Sequence, residues 1–284
     1  MRIGLAQLAI HPEPDQVSQN REHSNSAIRR LFEEGAELVV LPELTHWGYF
    51  PRSCAVVEQM AERIPEGESV QQWMALARRY RGFIVGGILE NSAQGFHNTA
   101  VLIGPNGVLA CYRKVHLFDW ETQWLTAGNQ WTTVWIDGVS ATVGLLICYD
   151  LRFPEAVRQL ALMGADLIVV PTTWTSVGKP QLWDSQGYCL QNHVAIAHAY
   201  CQRVAMVCAD RVGNERGVTY LGASVAVAPS GMVAAGPLSG REPTLAVVDI
   251  DLVSARDKTV GSYNHLLNDR RPALYHRIIE TPRI

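Results

Sequence analysis

Lysine is nearly missing from this chain. Of its 24 basic residues only Lys114, Lys179 and Lys258 are lysine, and the rest are arginine. Arginine keeps its charge in any surroundings, whereas lysine changes its pKa readily on burial, so each lysine invites the question of its task. An excess of charge is lacking too. The 27 acidic residues leave a net charge of −3, which gives no electrostatic reason to bind nucleic acid or an anionic membrane surface. No run of 18 apolar residues occurs, so no segment reads as a membrane span. The apolar opening MRIGLAQLAI leads straight into HPEPD, without a small-residue cleavage site. It reads as the first strand of a cytoplasmic protein. The six cysteines form neither a CxxC pair nor a zinc spacing, so neither a disulfide framework nor a metal site is expected, and each is by default a buried thiol.

What is present suits a large core. Apolar residues make up 48% of the 284, and charged residues only 18%, which excludes a disordered chain. A chain of this size buries about three quarters of its unfolded surface. The sequence also echoes itself. Arg2-Ile-Gly-Leu-Ala-Gln-Leu8 is matched by Thr142-Val-Gly-Leu-Leu-Ile-Cys148, and Gly35-Ala-Glu-Leu-Val-Val-Leu-Pro42 by Gly164-Ala-Asp-Leu-Ile-Val-Val-Pro171. Phe83-Ile-Val-Gly is matched by Ala205-Met-Val-Cys, and Ala100-Val-Leu-Ile-Gly-Pro-Asn-Gly107 by Ser224-Val-Ala-Val-Ala-Pro-Ser-Gly231. Four echoes in the same order indicate two similar halves. LVVLP and LIVVP read as strands buried on both faces. Helices are expected over 56–63, over 69–81 with Ser69 as its N-cap, and over 183–200. Two mixed sheets, each flanked by helices and packed face to face, satisfy the pattern. No linker interrupts it, so one domain is expected over 1–275, with a tail at 276–284 that reaches a neighbouring subunit.

Polar groups placed where buried strands end are candidate site residues. Glu43 follows the apolar run Leu38–Pro42, where a carboxylate is poorly solvated. Its pseudo-symmetric counterpart is Thr172. Cys148 follows Val143-Gly-Leu-Leu-Ile147 at a strand-to-turn junction close to a helix start, where a thiol can be exposed and activated. Lys114 ends a strand and is flanked by Val115, Leu117 and Phe118, whereas Lys179 and Lys258 sit in polar, loop-like surroundings. Each also has an ordinary reading: a surface carboxylate, a core cysteine, a snorkelling lysine. Together they compose one chemistry. A thiolate attacks a carbonyl carbon, a carboxylate moves the proton, and an ammonium stabilises the oxyanion. The class is acyl transfer to water from an amide or nitrile, with no cofactor and no metal. The thioester does not dictate its acceptor, so transfer to another amine stays open.

At these residues the chain resembles the nitrilase superfamily of carbon–nitrogen hydrolases, from Ile3 to about Tyr275. The matching motifs are Leu41-Pro-Glu-Leu44, Tyr112-Arg-Lys-Val-His-Leu-Phe118, Gly144-Leu-Leu-Ile-Cys-Tyr-Asp-Leu-Arg-Phe-Pro-Glu155, Ala209-Asp-Arg-Val-Gly-Asn-Glu-Arg-Gly217 and Asn268-Asp-Arg-Arg-Pro272. The resemblance implies an α/β fold, a four-layer αββα sandwich with internal pseudo-two-fold symmetry. It implies a Glu43–Lys114–Cys148 triad, with the oxyanion between the Lys114 ammonium and the Tyr149 N–H. It further implies that Glu121, in Glu121-Thr-Gln-Trp-Leu-Thr-Ala-Gly128, positions the substrate or assists proton transfer near Lys114. The segment after Cys148 resembles the amidase branches. The expectation is therefore an aliphatic or ω-amidase, with a nitrilase and then an N-carbamoyl amidohydrolase as alternatives, and a catalytically silent binding member outside the enzymes. Tyr49, Phe118, Tyr149, Thr173 and Trp174 are expected to line the substrate pocket. No arginine stands out as a clamp for a substrate carboxylate. Asp150 and Arg152 are expected to pair and, with Glu155, to brace the nucleophile turn. A homodimer or larger assembly is expected through 153–163 and 183–200.

Overall fold

Period-two alternation decides the layers. The computed structural model describes residues 1–176 and 183–275; Lys179 and the tail at 276–284 lie outside the described residues. The first half runs β1 (Arg2–Ala9), α1 (Val17–Glu33), β2 (Leu38–Val40), α2 (Cys54–Met60), α3 (Glu68–Tyr80), β3 (Phe83–Ser92), β4 (Gly95–Gly104) and β5 (Gly107–Arg113). A short helix α4 (Glu121–Trp124) leads to the second half. That half runs β6 (Thr132–Ile136), β7 (Ala141–Leu145), α5 (Pro154–Leu162), β8 (Leu167–Pro171), α6 (Leu190–Gln202) and β9 (Ala205–Ala209). It continues with β10 (Arg211–Glu215), β11 (Val218–Leu221), β12 (Val225–Val227), β13 (Val233–Ala235) and β14 (Thr244–Asp249). A small pair, β15 (Thr259–Val260) and β16 (Asn264–His265), follows.

The echoes become strands in matching places. β1, β2 and β3 are parallel neighbours, and so are β7, β8 and β9. β4 then returns antiparallel beside β3 and β5 antiparallel beside β4, as β12 does beside β9 and β13 beside β12. β14 lies antiparallel beside β1, as β6 does beside β7. One element breaks the symmetry. The β10–β11 hairpin is inserted between β9 and β12, and crosses over to pair β10 with β1 of the other sheet.

Alternate residues of the first sheet face opposite layers. Ile3, Leu5, Leu38, Val40, Val85 and Leu102 pack toward the second sheet, in one core with Val143, Leu145, Leu167, Val169 and Val207. Their neighbours Val39, Leu41, Ile84, Val101 and Ile103 pack against Ile28 and Leu31 of α1 and Trp73 of α3. Ala156, Val157 and Leu160 of α5, with Ala195 and Ala199 of α6, cover the second sheet. The layers are thus helix, sheet, sheet, helix. Truncating a fully buried leucine such as Leu102 to alanine in such a core costs about 2–5 kcal/mol. Among the described residues no helix is long and apolar enough to cross a membrane.

Three local expectations are corrected. Ser69 does not cap α3: Gly67 occupies that position, and Ser69 is already helical. The Glu62 carboxylate accepts the Ser69 N–H at 2.8 Å and does the work a capping side chain would do. The helix expected from 183 begins only at Leu190, because Asp184 Oδ1 accepts the N–H groups of Gln186 and Tyr188 and folds 184–188 into a turn. Lys258 lies in a loop, as expected, but its surroundings are not those of a solvated lysine. It is buried, and its ammonium donates to the carbonyls of Gln202 at 3.1 Å and Arg203 at 2.6 Å, closing the C-terminus of α6. Burial lowers its pKa to about 8.

Candidate active site

The site assembles where strands of both sheets end. β2 leaves its sheet through Leu41-Pro42 into a loop that begins with Glu43. The crossing hairpin fastens that loop. The buried Arg211 guanidinium donates to the carbonyls of Glu43, of Leu44 at 2.8 Å and of Trp47 at 3.1 Å. Glu215 accepts the N–H groups of Tyr49 at 2.7 Å and Phe50 at 2.9 Å. The Ala209–Gly217 motif is therefore a clamp on the Glu43 loop. From the second sheet, the carbonyl of Thr172 accepts the Glu43 N–H at 3.3 Å, so the two pseudo-equivalent strand exits touch.

Lys114 follows β5 directly, and Cys148 follows β7 after two residues. Cys148 has φ +42°, a left-handed backbone that is rare for a residue with a side chain and concentrates at functional sites. Asp150 holds this turn. Its buried carboxylate accepts the Ile147 N–H at 2.9 Å, the Tyr112 hydroxyl at 2.8 Å, and His116 through its N–H at 3.1 Å and Nδ1 at 2.8 Å. One carboxylate thus ties the nucleophile turn to the residues on either side of Lys114. The expected pairing with Arg152 does not occur, because Tyr112, His116 and Ile147 already satisfy Asp150.

Glu43, Lys114 and Glu121 are fully buried and meet. The Lys114 ammonium donates to Glu43 Oε1 at 2.7 Å and to Glu121 at 2.8 Å (Oε2) and 3.1 Å (Oε1). Glu121 Oε2 also accepts the Phe118 N–H at 2.7 Å. Asn98, which the sequence reading passed over, donates to Glu43 Oε1 at 2.7 Å and to Glu121 Oε1 at 2.6 Å. Glu43 Oε2 is buried without a partner among the described residues.

The electrostatics follow from this packing. Burial alone would push the Lys114 pKa down, but the carboxylates of Glu121 and Glu43 outweigh it and raise the pKa. Lys114 is a fixed positive charge and no general base. Burial raises the pKa of Glu121, with Lys114 opposing and Glu43 adding to the rise. Burial and the Glu43 carboxylate push the Cys148 thiol well above its ordinary value, against the Lys114 ammonium and a hydrogen bond from the Thr173 main chain. The resting thiol is protonated at neutral pH, so its attack needs a base at hand.

A cavity of about 100 Å³ opens at Cys148, lined by Phe118, Tyr149, Leu151, Arg152, Thr173 and Trp174, and beyond them by Thr175, Leu190, Gln191 and Val194. Four of the five residues expected in the pocket wall are there. Tyr49 is not. It is buried beside the charge cluster, near Glu43, Glu121 and Cys148, with its ring centroid 6.0 Å from the Lys114 ammonium and its hydroxyl without a partner among the described residues. Arg152, which the sequence did not single out as a clamp for a substrate carboxylate, is exposed and is among the residues that line the cavity. The α6 residues were missed because the start of that helix was misplaced. Asn98 gave no signal, since it sits between two other polar residues, His97 and Thr99, within a strand.

The chain matches the carbon–nitrogen hydrolase family over residues 2–258. It is 34% identical over 275 residues to a nitrilase of Pyrococcus abyssi, covering 97% of this chain and 100% of that one. It is 32% identical over 264 residues to the human omega-amidase NIT2, covering 88% of each. Among solved structures it is similar to the amidase NitN of Nesterenkonia sp. AN1, with a TM-score of 0.80 and 28% identity over 98% of this chain and 100% of that one. A variant of that amidase carries acrylamide added to its active-site cysteine.

Proposed function

Because the chain belongs to the carbon–nitrogen hydrolase family, we propose that it hydrolyses a small primary amide to acid and ammonia through a thioester on Cys148. The observation that carries this reading is the buried cluster in which Lys114 joins Glu43 to Glu121 while Glu43 Oε2 stays without a partner. Glu43 Oε2 takes the proton of the Cys148 thiol as the sulfur attacks the carbonyl carbon. The carbonyl π electrons move to oxygen, and that oxyanion lies between the Lys114 ammonium and the Tyr149 N–H. When the tetrahedral adduct collapses, Glu43 returns the proton to the departing nitrogen and ammonia leaves. Water then adds to the thioester with Glu43 again as base; the carbon–sulfur bond breaks, and the acid and the thiol are restored. Glu121 holds Lys114 charged and in place throughout.

The pocket guides the choice of substrate. About 100 Å³ suits a short acyl chain. Arg152, a cation without an acidic partner in the cavity wall, favours an acyl group that ends in a carboxylate, as in the ω-amide of a short dicarboxylic acid. The nitrilase among the relatives supports a second reading in which the same thiol adds to a nitrile.

Ammonia release from aliphatic amides, ω-amides, N-carbamoyl amino acids and nitriles tests the choice. Hydrolysis of amides, abolished in Cys148→Ala, is expected. Turnover of nitriles alone would favour the second reading. Activity that survives Cys148→Ala would overturn the mechanism. Inactivity on every class, with Cys148 inert to iodoacetamide, would leave a binding protein on this fold.

A further inference from the structure

Asn98 takes no part in the bond-making described above, yet it touches every charged member of the cluster. It lies on β4 and is fully buried. From one nitrogen it donates to Oε1 of both Glu43 and Glu121, and its main-chain carbonyl accepts the Lys114 N–H at 2.8 Å. Its amide orientation follows from chemistry, because the reverse would set Oδ1 against two carboxylate oxygens. Glu43 Oε1 is therefore engaged twice, by Lys114 and by Asn98, whereas Oε2 is engaged by neither. Hydrogen bonds to a carboxylate oxygen favour its charged form and weaken its pull on a proton.

We propose that Asn98 is a positioning residue that, by occupying Glu43 Oε1, reserves Oε2 for proton exchange with Cys148. The inference rests on the reading of Glu43 as the base. Lys114 cannot do this alone, because its ammonium is shared between two carboxylates. With Asn98 removed, the Glu43 carboxylate is free to turn about its last bond and to present either oxygen to the thiol. The groups that face Glu43 are Lys114, Glu121, Asn98, Cys148, Tyr49 and Asp210, while Arg211 holds its carbonyl. For Glu121 the Lys114 charge and the hydrogen bonds from Lys114 and Asn98 oppose the upward push of burial and of Glu43, so loss of the Asn98 donor removes a bond that favours the charged carboxylate.

The test compares Asn98→Ala, Asn98→Ser and Asn98→Asp with the wild type, following kcat and KM for an amide against pH. In Asn98→Ala, kcat is expected to fall about 10- to 100-fold with KM little changed. The acid limb of kcat/KM should move to higher pH. Asn98→Ser, which keeps a shorter donor, should fall between, and Asn98→Asp, which adds a third carboxylate, should lose most. The rate of Cys148 alkylation by iodoacetamide is measured over the same pH range and should show the same displacement. An Asn98→Ala protein with native melting temperature and unmoved pH profiles would overturn the proposal, as would a loss confined to KM. If Asn98→Ala does not fold, the Asn98→Ser profile decides. If the wild type hydrolyses no amide, the functional reading fails by itself, and the alkylation profiles still judge Asn98.

Discussion

Cys148 and Arg152 are four residues apart and line one cavity; under the proposed function, a single turn of chain would supply both the sulfur and a cation for the far end of a substrate. Arg152→Ala should therefore raise KM about tenfold or more for amides that carry a distal carboxylate, and leave KM for an uncharged amide of equal length unchanged. Equal effects on the two substrates would remove Arg152 from recognition. At this scale the sequence was informative wherever a polar residue closed an apolar run. Glu43 and Cys148 could be found that way because each closes a buried apolar run, and Lys114 because lysine is scarce and this one is followed by Val115, Leu117 and Phe118. Asn98 could not, since its partners lie 55 and 23 residues away and its neighbours in the strand are buried as well. Lys258 was misread for the same reason. The carbonyls it closes are 56 and 55 residues distant, and only the folded chain brings them to it.

Between elements, the least legible links are polar ones. His46, in the loop after β2, shares hydrogen bonds with Ser24 of α1 at 2.8 Å and Ser69 of α3 at 2.6 Å, and rests against Trp73. It ties two helices to the loop that also carries Glu43. Burial, and then the nearby Arg21 charge, lower its pKa to about 3. The sign is clear. Unfolded histidine takes up a proton near pH 6.5, while the folded form refuses it until about pH 3. Stability is therefore fully present above pH 6.5 and falls as the pH drops, by at most about 1.4 kcal/mol per pH unit. In urea unfolding between pH 7 and pH 4, the wild type should lose stability faster than His46→Asn. Parallel losses would show that this network carries no such linkage. The buried strands β2 and β8 could be read from sequence because their continuous apolar runs are local, whereas the start of α6 depended on the turn made by Asp184.

Across the whole molecule, several large apolar side chains stay exposed. Met163 at the end of α5, Tyr200 on α6, and Val260, Tyr263 and Leu274 beyond are all exposed. Arg158 of α5 donates to the Leu266 carbonyl and joins the 260–275 segment to that helix. Exposed apolar surface of this kind marks association, and a second copy of this chain is the occupant we expect. Light scattering at micromolar concentration should give at least twice the mass of one chain; a monomeric mass would refute this. The doubled architecture itself was visible in the four echoes. The crossing hairpin was not, because it has no counterpart in the first half to reveal it.

The contact between the two strand exits has a consequence for how such a protein can change. After β2 the exit carries Glu43, locked by Lys114, Asn98 and Arg211. After β8 the equivalent exit carries Thr172, then Thr173 and Trp174 of the cavity wall. Under the proposed function, one copy of the repeated geometry moves protons and the other shapes what is admitted. A library that varies Trp174, Thr175, Leu190, Gln191 and Val194 of the cavity wall would explore new acyl groups while keeping Thr173, which bonds the Glu43 carbonyl, whereas variation around 43 would extinguish turnover before selectivity could respond. Duplication has separated inventiveness from conservatism within a single chain.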